Sequence, residues 1–503
     1  MKQLLIFPFF IVLSTLGTSC TNPEVKQPNI LWIIAEDLNP VLGCYQDEIN
    51  SGFTPAVDGL ASEGVLFKRA YATAPVCSAS RSAFITGVMQ TTLGTHNHRS
   101  SRTTDNVVVP EELRIYLPEG VKTIPELMKE QGYFTFSNNK DDYNFHYNRH
   151  DLYDVGTRKN YKVGMNGWQG NMPSSLLSWT KNVWNSRPDK KMPWFGQIEL
   201  WGGKKDSKHV REGQKLEDYD VELPPYFPDI PSQRQAWTEH YNAARGSDTQ
   251  VEAILKQLEA DGELENTIVF FFSDHGSPSS LRHKQFCYEG GMQVPLIIAG
   301  AHKAIKPGSS VNNLVSLLDV SATTLALAGG SIPDHFDGQD LFSDDYQTVD
   351  YVIGARDRCD YTIDHIRTVR TDQYRYIQNY FPERTMMQPS YRDNKPIVLD
   401  FKKAREDDLL TPYQEEHWFG KRPEEELYDV AKDPHQMHNL ALESQFKSEL
   451  KKHRKILNDW IERTDDKGMY PEDKNQLRAT YELWKDRERF KNADVNPEYD
   501  EFK

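Results

Sequence analysis

Glu36-Asp37 and Asp274-His275-Gly276 each come directly after an apolar run, Asn29 to Ala35 (NILWIIA) and Thr267 to Ser273 (TIVFFFS). Carboxylates and an imidazole at the ends of neighbouring strands would form the oxygen-rich cage that a hard divalent cation requires. The plainer reading is that each pair caps a helix or sits in a turn. Asn138-Asn139-Lys140 follows a third run, Tyr133 to Ser137, and adds a cation to the set. Ala74-Pro75-Val76-Cys77-Ser78-Ala79-Ser80-Arg81 completes it. Its small residues open a helix that Gly87 ends, with Cys77 at the N-terminus and Arg81 one turn on, on the same face. A helix N-terminus stabilises negative charge, so Cys77 stands where an anion would bind. A lone cysteine is more often a buried structural thiol. Here the surrounding pattern speaks for chemistry.

These clusters need a scaffold, and the chain alternates buried-strand and helix patterns, the mark of an α/β layer fold. Open α/β sheets bind ligands beyond the carboxyl ends of their strands, which is where the clusters fall. Helices are predicted over Thr123–Gln131, Ser232 to about Ala260, and Leu314–Leu327; strands are predicted at Trp194–Leu200 and Val294–Ala299. Beyond about Gly354 the chain becomes more polar, and Ile366 to Ile377 reads as a half-exposed antiparallel strand pair. A charged helix is expected from about Glu443 to Arg463, and the last forty residues are expected to wrap the surface.

The chain has 503 residues, 11% aromatic, which is enough to build a large core and excludes a disordered chain. A formal charge of −15 argues against nucleic acid as the main partner. Five cysteines are too few for a disulfide scaffold. Lys2 precedes an apolar stretch, Leu4 to Leu16, that is too short to span a bilayer and reads as an export signal. Gly17-Thr18-Ser19-Cys20 resembles a bacterial lipobox, so residues 1–20 are expected to be a signal peptide, Cys20 the lipidated first residue, and 21–28 a tether. The expected location is the periplasm, outer membrane or cell surface.

Cys77-Ser-Ala-Ser-Arg81 resembles the Cys-x-(Pro/Ala)-x-Arg sequence of the type I sulfatases, members of the alkaline-phosphatase-like superfamily. The opening strand with Glu36-Asp37, Ser273-Asp274-His275-Gly276, Gly290 to Leu296, and Glu426-Leu-Tyr-Asp429 with Asp433-Pro434 are similar to further family segments, in order. The resemblance implies a large mixed, mostly parallel sheet between helices over 29–354. A smaller α+β subdomain with an antiparallel sheet would follow over 355–480, then a charged tail over 481–503.

It also implies roles. Cys77 would become formylglycine through a formylglycine-generating or anaerobic sulfatase-maturating enzyme, with Ala79 where many relatives have proline. Its hydrate would attack sulfur with one oxygen and expel sulfate with the other. Glu36, Asp37, Asp274 and His275 would hold a divalent cation, Ca²⁺ rather than Mg²⁺. Arg81 would steady the nucleophile, and Lys140 and Lys284 would offset charge on the transferring group. Two departures stand out. Glu36 replaces an aspartate, and the strand at Trp194 leads into Trp201-Gly-Gly-Lys204 where relatives place an acid histidine. Lys204, His209 and His283 are the candidate general acids. His98, Arg99, His283, Arg356 and Arg358 are candidate substrate contacts, the arginines suited to carboxylates or sulfates. The implied function is hydrolysis of sulfate esters on a sulfated glycan, by an enzyme held at a bacterial envelope through its lipid anchor. The rivals are a phosphomonoesterase or phosphodiesterase of the same superfamily, and a non-catalytic glycan-binding lipoprotein. Cys44, Cys287 and Cys359 leave room for at most one disulfide.

Overall fold

The computed structural model describes residues 27–99, 110–138, 140–156, 183–218, 220–487, 490 and 497–502. The expected signal, Cys20 and residues 21–26 of the tether lie outside the described residues, as does part of the charged tail.

The larger sheet comprises β1 (Asn29–Ala35), β2 (Gly64–Tyr71), β3 (Phe134–Asn138), β4 (Val155–Gly156), β5 (Trp194–Leu200), β6 (Thr267–Phe272), β7 (Gln293–Val294), β8 (Leu296–Ala299) and β9 (Ser309–Ser316). Their order is β4-β3-β5-β1-β6-β8-β2-β7, with β9 on β2. β1 pairs in parallel with both β5 and β6, in a register that sets Ile34 beside Glu199 and Phe272. The carboxyl ends of β5, β1 and β6 are therefore level, and β3 lies parallel beside β5. The sheet is mixed because β8 runs antiparallel to β6 and β2.

β1 is buried at every position because both faces are covered. Trp32 meets Phe84, Phe195 and Phe272 edge-on at 5.1 to 5.9 Å on one face. On the other face Leu31 and Ile33 pack with Ala244, Val251, Ile254 and Leu258 of the helix Pro231–Ala260. The helix Cys77–Thr86 is buried along its length, which its run of Ser and Ala permits. Gly87 ends it in the left-handed conformation, φ 70°.

The smaller sheet is antiparallel, in the order β10 (Tyr351–Arg356), β11 (Ile366–Thr371), β12 (Tyr374–Asn379) and β13 (Glu425–Asp429). It begins at Tyr351. Contrary to expectation β11 is not half-exposed: all its residues are buried. The sheet is covered twice. Val369, Tyr376 and Leu427 pack on Leu457 and Trp460 of the helix Lys447–Thr464, while Ile366 and Ile377 join Tyr71, Met292 and Leu314 from the larger sheet's side.

Three further expectations are corrected. Leu314 to Ser316 belongs to β9, paired with β2, and the helix starts at Leu318. β2 itself was not anticipated. The polar C-terminal stretch does more than wrap the surface: the helix Lys474–Trp484 contributes Leu477 and Trp484 to a cluster with Tyr361, Phe490 and Tyr499. Among the described residues no helix is long and apolar enough to cross a membrane. Cys44, Cys77, Cys287 and Cys359 are all free thiols.

Candidate active site

Adjacent strands bring the sequence clusters to one point. Asp37 follows β1 in the left-handed conformation, φ 58°, which turns its backbone N–H onto Asp274 Oδ1 at 2.9 Å. Leu38 N–H donates to Ser273 Oγ at 2.9 Å, so the ends of β1 and β6 are tied together. Ser80 of the helix Cys77–Thr86 donates to the Asp274 carbonyl at 2.7 Å, which fixes that helix to the same corner. Cys77 Sγ then lies 3.2 Å from His275 Nε2, 3.1 Å from Lys284 Nζ, 3.7 Å from both Glu36 Oε1 and Asp37 Oδ1, and 4.0 Å from Lys204 Nζ. Lys140, beyond β3, pairs with Glu36 and lies 3.2 Å from Asp142.

Lys204 arrives by an unusual route. Gly202 has φ 48°, and a β-carbon there would stand 2.0 Å from the Glu36 carbonyl oxygen; one on Gly203 would stand 2.1 Å from that of Asp37. Only glycine lets this loop lie on the acidic pair. Lys204 Nζ thereby reaches Glu36 Oε1 at 2.5 Å.

The charges of this buried corner are set by one another. Burial raises the Cys77 thiol, but Lys140, Lys204 and Lys284 pull it down to about 7. Burial disfavours charge on His275, yet Asp274 and Asp37 hold its imidazolium up to about 10. Against its own desolvation, Asp37 is kept well below the carboxylate range by Lys204, Lys284 and His275. The result is a buried pocket in which three lysines surround one nucleophilic atom, suited to an oxyanion and a transferring anionic group.

The residues also fit the two groups expected here. Ligand atoms of Asp37, Cys77, Asp274 and His275 lie within 4.8 Å of one another, and carboxylates with one imidazole are a donor set for a divalent cation. Arg81 gives Nε to Asp274 at 2.9 Å and Nη2 to Glu199 at 2.8 Å, while its buried Nη1 has no hydrogen-bond partner among the described residues. That donor belongs to a residue one helical turn from Cys77.

Other expected site residues lie elsewhere. His209 ends a 3₁₀ turn, Asp206–His209, that packs on the helix Pro231–Ala260, and no described contact joins it to the cluster. His283 is buried with Nδ1 3.0 Å from Asn39 Oδ1 and Nε2 3.4 Å from the Tyr226 hydroxyl, so it shapes the wall behind the site instead of facing the thiol. Arg356 and Arg358, expected at the cleft, are turned inward: Arg356 pairs with Asp364 at 3.0 Å and Arg358 clamps Glu472 with two contacts of 2.7 Å. His98 is buried, bonded through Nδ1 to Ser78 Oγ at 2.7 Å. Arg99 stays partly exposed between Asp142 and Asp360 at 3.3 and 3.5 Å.

Two contributors went unread in the sequence. Glu199 is the charged residue of the otherwise uncharged strand WFGQIEL, a signal that it needs a buried partner, and Arg81 is that partner. Burial raises its carboxyl to about 7 despite Arg81. Glu199→Ala should destabilise the protein by about 3–5 kcal/mol, since it leaves a buried guanidinium half-paired. Glu199→Gln should cost less, because an amide oxygen still accepts from Arg81. Denaturant unfolding of the two variants checks this, and a negligible loss in Glu199→Ala would mean that Arg81 does not use the carboxylate. The second is Tyr391, whose ring centroid lies 5.9 Å from Lys284 Nζ and 5.6 Å from Lys395 Nζ. Its loop is held by Arg392, which donates to the carbonyls of Ser280 and Lys284. Nothing in the local sequence marks it.

The sheet order, the covered faces and the cysteine at the strand ends define a mixed α/β layer protein with a buried, cysteine-centred site. A family model described as Sulfatase matches residues 28–331, more than half of the chain, and the chain belongs to that family. It is a sulfuric ester hydrolase, and this family generally uses a formylglycine and a divalent metal. The chain is 28% identical over 487 residues to an ulvan-active sulfatase of Formosa agariphila, covering 89% of this chain and 77% of that one. It is 28% identical over 378 residues to the N-acetylgalactosamine-6-sulfatase of Canis lupus familiaris, covering 66% and 68%. A solved 2-O GAG sulfatase aligns with a TM-score of 0.60 at 20% identity, over 90% of this chain and 96% of the other.

Proposed function

We propose that this chain removes sulfate esters from a sulfated polysaccharide or its oligosaccharides, with Cys77 matured to formylglycine and Ca²⁺ as the ion. The observation that carries the reading is the convergence of Cys77 with three lysines and with Asp37, Asp274 and His275 at the strand ends. The named activities of the relatives, on ulvan and on an amino-sugar sulfate, support a glycan as substrate. Formylglycine would supply a nucleophile with its own release route, and the cation would polarise that nucleophile and a sulfate oxygen.

The chain's own residues divide the remaining work. Glu36, Asp37, Asp274 and His275 would hold the ion, and Arg81 would orient the nucleophile through Nη1. Lys140 and Lys284 would stabilise charge gathering on the sulfate oxygens. Lys204 is the general acid in this reading, since its ammonium lies 4.0 Å from the nucleophilic atom. Ala79 in the motif requires a maturation enzyme that accepts it. Export and a lipid on Cys20 would put the enzyme where large glycans are met.

The test is release of inorganic sulfate by natively matured protein from ulvan, glycosaminoglycan oligosaccharides and defined sulfated sugars. Absence of release from all of them would sink the reading. Exhaustive chelation should abolish the activity, and Ca²⁺ should restore it better than Mg²⁺. Ca²⁺ at 100 times its dissociation constant should also stabilise the chelated protein by about 2.7 kcal/mol, read as a rise in melting temperature. An unchanged melting curve would argue that Asp37, Asp274 and His275 hold no such ion.

A further inference from the structure

A cavity of about 430 Å³ opens on the far side of the turn that carries His98 and Arg99. His96, Asp357, His365, Tyr380, Phe381 and Tyr470 are among the residues that line it. We infer that it binds an uncharged, hydroxyl-rich ring, an unsulfated sugar residue of the glycan whose sulfate is removed next door; this rests on the carbohydrate reading above.

The polar groups at its wall are incomplete. His365 Nδ1 lies 2.8 Å from Asp357 Oδ1, which also accepts from Arg367 Nη2 at 3.2 Å. Among the described residues Asp357 Oδ2 and His365 Nε2 have no hydrogen-bond partner, although the two residues are only 5% and 9% exposed. An unsatisfied buried polar group is costly, and here two stand on adjacent side chains at one cavity. With Nδ1 turned to Asp357, Nε2 is the ring atom left facing the cavity, an acceptor or a donor according to the ring's proton count. Adjacent hydroxyls, each able to donate and to accept, match this pair: one donates to Asp357 Oδ2 while its neighbour bonds Nε2, the pattern of a vicinal diol.

The rest of the lining agrees. Tyr380 stands edge-on to His365 at 4.4 Å, and Tyr470 is 60% exposed at the rim, so apolar faces flank these polar atoms as the C–H face of a sugar ring requires. Sulfate and carboxylate groups offer no donor and would meet the Asp357 carboxylate. The lining guanidinium, Arg358, is taken up by Glu472. The volume suits one or two sugar rings.

Position links this cavity to the chemistry. Arg358 N–H donates to Asn97 Oδ1 at 3.1 Å, and His98 N–H donates to the Arg358 carbonyl at 2.8 Å. His98 in turn bonds Ser78, the neighbour of Cys77. One turn of chain thus has the nucleophile helix on one side and the cavity on the other.

Ligand-observed NMR on the full-length matured enzyme tests the inference, with methyl galactoside, methyl glucoside, methyl xyloside and methyl rhamnoside as uncharged probes. At least one should show saturation transfer, with its affinity lowered fivefold or more by His365→Leu and by Tyr470→Ala. The exposed Tyr470 keeps the test decisive if the His365 variant fails to fold. No transfer from any probe, or affinity within twofold of the parent in every folded variant, would overturn it. Sulfate release measured on the same samples separates the two ideas. Sugar binding without sulfate release would sink the catalytic reading, and sulfate release without sugar binding would sink this one.

Discussion

Replacing Cys77 by serine is expected to give an enzyme that releases at most one equivalent of alcohol per active site and then stops. Serine offers one oxygen where the family's aldehyde hydrate offers two. The first could still attack sulfur, because Lys284 and Lys204 approach the atom at position 77 to 3.1 and 4.0 Å whatever its identity. No second oxygen would then remain to expel sulfate, so the ester would persist until water attacked it. Water is poorly placed to do so, since position 77 is fully buried. Steady-state turnover should fall by roughly 10³-fold or more, the scale seen when a covalent nucleophile is disabled. Cys77→Ala should show neither the burst nor turnover. Rapid-quench measurement of alcohol, with intact-mass detection of one retained sulfate, distinguishes the two variants. Sustained sulfate release by the serine variant would disprove the two-oxygen requirement.

Much of this site was readable before any coordinates, because its parts sit where a parallel sheet must put them. Glu36-Asp37 and Asp274-His275 follow runs so apolar that only doubly covered strands could hold them, and β1 and β6 are neighbours. The helix at Cys77 was legible from its small residues and from Gly87. What escaped depended on partners distant in sequence. Ser309 to Leu314 alternates too weakly to announce a strand, and it becomes one through pairing with β2. Ile366 to Ile377 has the alternation of a half-exposed pair, yet a helix from one side and the larger sheet from the other bury β11. The family resemblance and the affinity of arginine for anions suggested substrate contacts at Arg356 and Arg358, but a guanidinium is equally at home in a buried clamp, and here Asp364 and Glu472 supply it. Tyr391 reaches the site only because Arg392 ties its loop to the segment carrying Lys284.

Lys204→Ala is expected to lower kcat on sugar sulfates by about 10²–10⁴-fold, the usual worth of a positioned general acid. On aryl sulfates the loss should be nearer about tenfold, because a phenolate departs with little protonation and feels mainly the missing charge. His209→Ala should leave both within about twofold. The contrast follows from geometry: Gly202 and Gly203 let the chain lie on the acidic pair and bring the Lys204 ammonium within 4.0 Å of the nucleophilic atom, whereas His209 ends the turn beyond. Lys204 also touches Glu36 and Asp37, so its removal disturbs the ion's neighbours as well as the proton supply. Lys204→Arg separates the two effects. Arginine keeps the positive charge but does not give up its proton in a protein. It should therefore recover most aryl sulfate turnover and little of that on sugar sulfates. The measurement is the dependence of kcat/KM on leaving-group pKa for the parent and the three variants, which should steepen for Lys204→Ala and Lys204→Arg alone. Equal losses across all leaving groups would leave Lys204 a purely electrostatic role, and a steepened dependence in His209→Ala would return the acid to the histidine.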